Sequence, residues 1–194
     1  MFIQTEATPN PATLKFLPGR EISPRTPYEF VNDEEAQASP LAAFLFTLTG
    51  VKTVFLGADF VSVTKTDDAD WAVLKTQILA AIMDHFVSGM PVLADDGANV
   101  SDAHPVDETV YEGEAAEIVS EIKELIDTRV RPAVASDGGD IVFERFDVDS
   151  GVVTLQMRGA CAGCPSSSMT LKNGIENMLR HYIPEVTAVE ASAL

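Results

Sequence analysis

The sequence predicts an α+β fold of two small domains, and three observations carry that expectation. The 194 residues are 46% hydrophobic and 22% charged, an ordinary globular mixture long enough for one large or two small domains. Apolar spacing marks both helices and strands on each side of a central composition shift. That shift, residues 89–113, contains Pro91, Gly97, Pro105 and six acids (Asp95, Asp96, Asp102, Asp107, Glu108, Glu112) with no Lys or Arg. Such a stretch reads as a flexible acidic linker. It separates an N-terminal unit, 1–88, from a C-terminal unit, 114–194.

In the first unit, Leu14 to Leu17 reads as a short strand, followed by a turn region with Pro18, Gly19, Pro24 and Pro27. Ser39 is placed to cap a helix with Pro40 at its first position. Leu41, Phe44, Leu45 and Leu48 form the expected buried stripe, and Gly50 ends the helix. Val51 to Val63 is rich in Val and Phe and broken near Gly57, a hairpin pattern. Asp70 begins a second helix with Leu74, Ile78, Ala81, Ile82 and His85 on one face.

The second unit opens with a helix from about Glu114, whose Ile118, Ile122, Leu125 and Ile126 follow helical spacing. It stops before Asp137-Gly138-Gly139-Asp140, read as a tight turn. Two β-type runs, Ile141 to Val148 and Val152 to Met157, are joined through Asp149-Ser150-Gly151. A helix from Pro165 to Tyr182 and a short strand near Val186 to Val189 complete the order α-β-β-α-β.

Composition also excludes functions. No run of about 18 apolar residues offers a membrane span. The start, Met-Phe-Ile-Gln-Thr-Glu-Ala, lacks the features of a secretory signal or an Arg-rich presequence, so the expected location is the cytoplasm. A bacterial protein is the simplest such reading, with a mature mitochondrial chain as the alternative. The net charge of −17, from 30 acids against 13 Lys and Arg, would repel a polyanion, so nucleic acid is not an expected partner.

Cys161 and Cys164 are the only cysteines. Structural zinc sites and iron–sulfur clusters take four protein ligands, so two thiols make half a site. A second copy related by a two-fold axis would supply the other half. Cys164 precedes Pro165 and is the expected N-cap of the helix, where backbone N–H groups and the helix dipole favour the thiolate that binds metal. His181 lies 17 residues beyond Cys164 on the same helix, roughly 25 Å away at about 1.5 Å per residue. His104 falls in the linker and His85 in the other unit. The same Cys-x-x-Cys admits two other readings, a thiol-disulfide oxidoreductase and a zinc-bridged structural dimer. An antiparallel hairpin before the cysteines, in place of a βαβ unit, argues against the first.

Against these residues, the C-terminal unit resembles the NifU-like domain of the Nfu family of iron–sulfur cluster scaffold and carrier proteins. The matching stretches are Arg131-Pro132, Asp137 to Asp140, and Gly159 to Ser167. The N-terminal unit is similar to the Nfu N-terminal domain through Phe2 to Pro11, Leu14 to Phe16, Gly50 to Phe55 and Asp70-Trp71. The resemblance implies a homodimer in which Cys161 and Cys164 of each subunit hold one labile cluster, 4Fe-4S rather than 2Fe-2S, at an exposed interface. It further implies transfer to apo-proteins, upstream cluster-assembly proteins as partners, and no turnover of a small substrate. Client recognition would fall partly on the N-terminal unit.

Overall fold

Hydrophobic burial divides the chain into two units, 1–103 and 104–194, each with its own core. The structure, a computed structural model, describes residues 2–24, 26–94, 111–162 and 165–192, with only the backbone at 165–168.

The first unit runs β1 (Gln4–Ala7), β2 (Thr13–Leu17), β3 (Tyr28–Phe30), α1 (Asp33–Ala36), α2 (Pro40–Phe46), β4 (Val51–Leu56), β5 (Val61–Lys65) and α3 (Trp71–Ser88). Its five strands form an antiparallel sheet in the order β1-β2-β5-β4-β3. The two expected caps are present. Ser39 Oγ accepts from the Ala42 N–H at 3.1 Å, and Asp70 Oδ1 from the Ala72 N–H at 2.9 Å. Each satisfies a backbone donor that the first helical turn leaves unpaired.

The face read from the sequence of α3 is the buried face: Leu74, Ile78, Ala81, Ile82 and His85 are all enclosed. They share one core with Phe16, Phe30, Val54, Val61 and Val63 from the sheet and Leu41 and Leu45 from α2. Full burial of one such side chain contributes about 1.5–3 kcal/mol. Phe44, expected in the stripe of α2, is exposed instead. The helix closes after Phe46, and its inward side is Leu41, Ala42 and Leu45.

The second unit runs α4 (Glu114–Leu125), a π-helical turn (Ile126–Val130), α5 (Arg131–Ser136), β6 (Gly139–Asp147), β7 (Val152–Gly159), α6 (Pro165–Tyr182) and β8 (Ala188–Ser192). Pro132 explains the π turn. It has no N–H for the carbonyl four residues earlier, so the helix widens there and resumes. Ile122, Ile126, Val130 and Val134 thereby stay on the core side. Ile118 and Leu125 pack only partly against it, and Val119 is buried in their stead.

β6 and β7 form the expected hairpin, its turn held by Asp147 Oδ1, which accepts from the N–H groups of Asp149 and Ser150 at 3.0 and 3.1 Å. β8 lies parallel to β7, so α6 is a crossover helix in a sheet of order β6-β7-β8.

Both ends of the acidic stretch are anchored. Val92 and Leu93 pack on the first core, and the Ala94 N–H donates to the Ala38 carbonyl at 2.9 Å. Tyr111 packs on the second core, where its hydroxyl accepts from the Phe146 N–H at 2.9 Å and donates to the Phe146 carbonyl at 3.0 Å. Residues 95–110 of that stretch, His104 included, lie outside the described residues. Among the described residues no helix is long and apolar enough to cross a membrane.

Candidate functional site

Cys161 stands in the turn that follows β7, and Cys164 lies outside the described residues. The helix that Cys164 is expected to cap does start at Pro165. Backbone hydrogen bonds shape the turn. The Ala162 N–H donates to the Gly159 carbonyl at 3.1 Å, the Cys161 N–H to the Arg158 carbonyl at 3.4 Å, and the Ala160 N–H to the Gly138 carbonyl at 3.2 Å. The last bond joins the cysteine turn to the Asp137-Gly138-Gly139-Asp140 turn across the hairpin. The two turns are one structural unit.

The paired glycines divide the work. Gly138 has a φ of 84°, the left-handed conformation that the turn reading anticipates. Gly139 opens β6, and a Cβ placed on it would lie 2.7 Å from Cys161 Sγ and 2.6 Å from the Arg158 carbonyl oxygen. No side chain fits there, so the cysteine sulfur rests directly on backbone. Consistent with this, Cys161 is 7% exposed and belongs to the second core. The sulfur expected at an exposed interface is packed inward. The reason lies in the hairpin register, which pairs Gly139 with Gly159 and folds the turn back over the strand ends.

Charge is concentrated in those strand ends. Asp140, 5% exposed, accepts from Arg131 Nε at 2.8 Å and from a terminal guanidinium nitrogen at 3.0 Å, a bidentate pair tying the helix beyond the π turn to β6. The Asp140 carboxylate, more than the burial that opposes it, raises the Arg131 guanidinium above its ordinary pKa, with Asp127 adding to the effect. Arg158 is the ladder partner of Asp140 and is itself 3% exposed, its guanidinium donating twice to Gln156 Oε1 at 3.0 and 3.2 Å. The Arg131–Asp140 pair and the Arg158–Gln156 pair thus tie α5, β6 and β7 together beside the cysteine turn. Sequence reading placed Arg131 and Asp140 in a motif but missed their pairing, and it missed Arg158 and Gln156 altogether. Only the strand register brings these residues together.

The histidines lie elsewhere. His85 is buried in the first unit, and His181 is in the last turn of α6, edge-on to Tyr182. Among the described residues, no group of three or more His, Cys, Asp and Glu side chains is arranged to hold a metal ion.

A two-unit chain with a five-stranded α+β first domain, and a second domain presenting Cys-x-x-Cys between a hairpin and a crossover helix, defines a narrow class of protein. The domain described as "Scaffold protein Nfu/NifU N terminal" matches residues 3–89, and the "NifU-like domain" matches residues 122–190. The chain belongs to the Nfu/NifU-like family. NifU-like protein 4, mitochondrial, of Arabidopsis thaliana is 50% identical over 190 residues, 98% of this chain and 65% of that protein. The NFU1 iron-sulfur cluster scaffold homolog, mitochondrial, of Drosophila sechellia is 51% identical over 191 residues, covering 98% and 64%. The solution structure of a NifU-like protein from Saccharomyces cerevisiae aligns with a TM-score of 0.45 at 25% identity, over 50% of this chain and 87% of that one. The chain spans about two thirds of the length of the curated relatives it matches.

These relatives correct one expectation. Proteins that match 98% of the chain are named as mitochondrial, which overturns the cytoplasmic, bacterial placement. The physical reason is that a mitochondrial address is written in an amphipathic, Arg-rich presequence, whereas the composition of folded domains does not encode the compartment.

Proposed function

We propose that this chain carries an iron–sulfur cluster as cargo, held by Cys161 and Cys164 of two copies and passed on to apo-proteins, within a mitochondrial setting. On this reading residues 1–88 and 114–194 are the two working domains and 89–113 joins them. The observation that carries it is the cysteine turn itself: a thiol seated on bare backbone at Gly139, in the turn that leads from β7 to the helix that starts at Pro165. Thiolate sulfur is the standard ligand of such clusters, and two thiols per chain match a site completed by a second copy. The names of the relatives, which describe an iron–sulfur cluster scaffold, support the same cargo.

Anaerobic reconstitution with iron and sulfide, followed by size exclusion and metal analysis of the same fractions, tests the proposal. About four irons and four sulfides per dimer are expected, with the cluster lost in both Cys161→Ser and Cys164→Ser. A full cluster retained by either variant overturns the assignment. A colourless dimer with one zinc makes the site structural, and a metal-free monomer with disulfide reductase activity makes it a redox pair.

A further inference from the structure

His85, in the last turn of α3, is fully enclosed, and among the described residues neither ring nitrogen has a hydrogen-bond partner. Buried polar groups are nearly always bonded, so an unbonded one calls for an explanation. The neighbouring elements decide what a proton would meet there. α2 carries no titratable residue, and the sheet sends Phe16, Val54, Val61 and Val63 into the core that α3 packs on. Phe86 meets the His85 ring edge-on at 5.2 Å, and the guanidinium of Arg20, from the region between β2 and β3, lies 4.7 Å from the Phe86 ring centre. Burial first, and the Arg20 charge second, hold the His85 imidazole below its ordinary pKa. Lys75 and Asp84 of α3, Glu21 beside Arg20, and Asp33, Glu34 and Glu35 of α1 are all exposed to solvent. A charged ring in this place has a cation near it and no carboxylate or carbonyl bonded to it, the condition that most disfavours the charge.

The path of the chain just beyond His85 is the second observation. The Ser88 hydroxyl donates to the His85 carbonyl at 2.6 Å, and Gly89 ends the helix in a left-handed conformation with a φ of 71°. Residues 90–94 then run to the start of α2 as a strap. Val92 and Leu93 are only partly buried on the core. The strap is tied down at its far end, where the Ser39 hydroxyl donates to the Val92 carbonyl and the Ala94 N–H donates to the Ala38 carbonyl at 2.9 Å. Residues 89–94 contain no titratable group of their own. A half-buried strap with few bonds opens at a lower free energy than a central strand or a core helix.

We propose that His85 and the strap of residues 90–94 form a proton-operated latch, closed while the imidazole is neutral and opened locally, with the rest of the first unit folded, when the ring takes up a proton. The last turn of α3 and the strap give way together, because they join directly and their release brings water to the ring. Opening frees the chain where it runs on from α3 toward the second unit. A ring that charges only in the open form favours opening below its ordinary value of about 6.5 and leaves the latch closed above it. The latch lies in the unit without the cysteines, so the proposal stands apart from the cluster-carrying reading.

The test is amide hydrogen exchange by NMR on the full nitrogen-15-labelled chain at pH 7.5, 6.5 and 5.5, each rate divided by the intrinsic rate at that pH. The Ala94 N–H is expected to lose about twofold of its protection at pH 6.5 and about tenfold at pH 5.5, relative to pH 7.5. The Thr187 N–H of the second unit, bonded to the Gly151 carbonyl at 2.8 Å, should keep its protection. Urea separates local opening from unfolding. Up to about 1 M, Ala94 should exchange at a constant rate while the amides of β5, paired on both sides, exchange faster as the whole unit weakens. His85→Phe keeps an aromatic ring without a titratable group and should hold the Ala94 protection level across the pH range; His85→Leu gives the same reading should that variant fail to fold. An Ala94 protection independent of pH in the unaltered chain, or a loss that persists without His85, overturns the latch. So does an Ala94 exchange that follows β5 in urea, since the strap would then open only when the whole unit unfolds.

Discussion

Glycine acts in opposite senses at two positions of the second unit. Gly139 has an ordinary backbone conformation, so its requirement is spatial alone: an added methyl would meet Cys161 Sγ, the Arg158 carbonyl oxygen and the Cys161 nitrogen at 2.7, 2.6 and 3.0 Å. Two of these are backbone atoms that cannot swing away. Gly139→Ala is expected to destabilise the second unit by about 1–3 kcal/mol, the usual penalty for overpacking, and to lower the iron bound after reconstitution. Gly174, in the interior of α6, has nothing within 4 Å of such a methyl. Gly174→Ala removes backbone freedom from the unfolded chain at a compatible site and should stabilise by about 0.5–1 kcal/mol. Urea unfolding of both variants, followed through the second unit, checks the pair. Equal effects of the two substitutions would mean that the Gly139 contact does not control the turn.

Among the elements, α3 shows what periodicity can reveal and what it cannot. Its buried face was readable because five apolar or aromatic residues recur at helical spacing over 18 residues. The edge strands were not. Gln4–Ala7 is mostly exposed and Tyr28–Phe30 is three residues long beside a Pro-rich turn, so each takes its structure from the neighbour it pairs with. The π turn at Ile126–Val130 was hidden because a proline within a helical pattern signals an end as readily as a widened turn. The Cys-x-x-Cys spacing named a candidate site, whereas the Gly139 seat and the Arg131–Asp140 pair depend on a ladder register that no local pattern encodes. Periodicity also gave His85 a buried position without its consequence. His85 is fully enclosed, and neither ring nitrogen has a hydrogen-bond partner. Burial, and secondarily the positive charge of Arg20, hold its pKa below the ordinary value. The folded first unit therefore binds a proton less readily than its unfolded chain. Its stability is fully present above the unfolded value of about 6.5 and falls as the pH drops from there toward the lower folded value. Denaturant unfolding of the first unit at pH 7.5 and 5.5 should show that loss, and His85→Leu should remove it. A pH dependence unchanged in that variant would mean that other groups set it.

At the scale of the whole molecule, the charge distribution predicts how dimer formation depends on salt. Thirty acids against 13 bases make every copy repel every other, so the cluster-bridged dimer proposed above would form against that repulsion. Surface charges farther apart than a Debye length, about 10 Å at 0.1 M salt, cease to interact. Raising salt from about 0.05 to 0.5 M should therefore tighten the loaded dimer by several-fold, measured by sedimentation velocity at the absorption of the cluster. A loaded dimer that loosens with salt would show that its interface is built on complementary charges, with Arg129 and Arg180 of the cysteine-bearing unit as the cations that meet acids of the second copy.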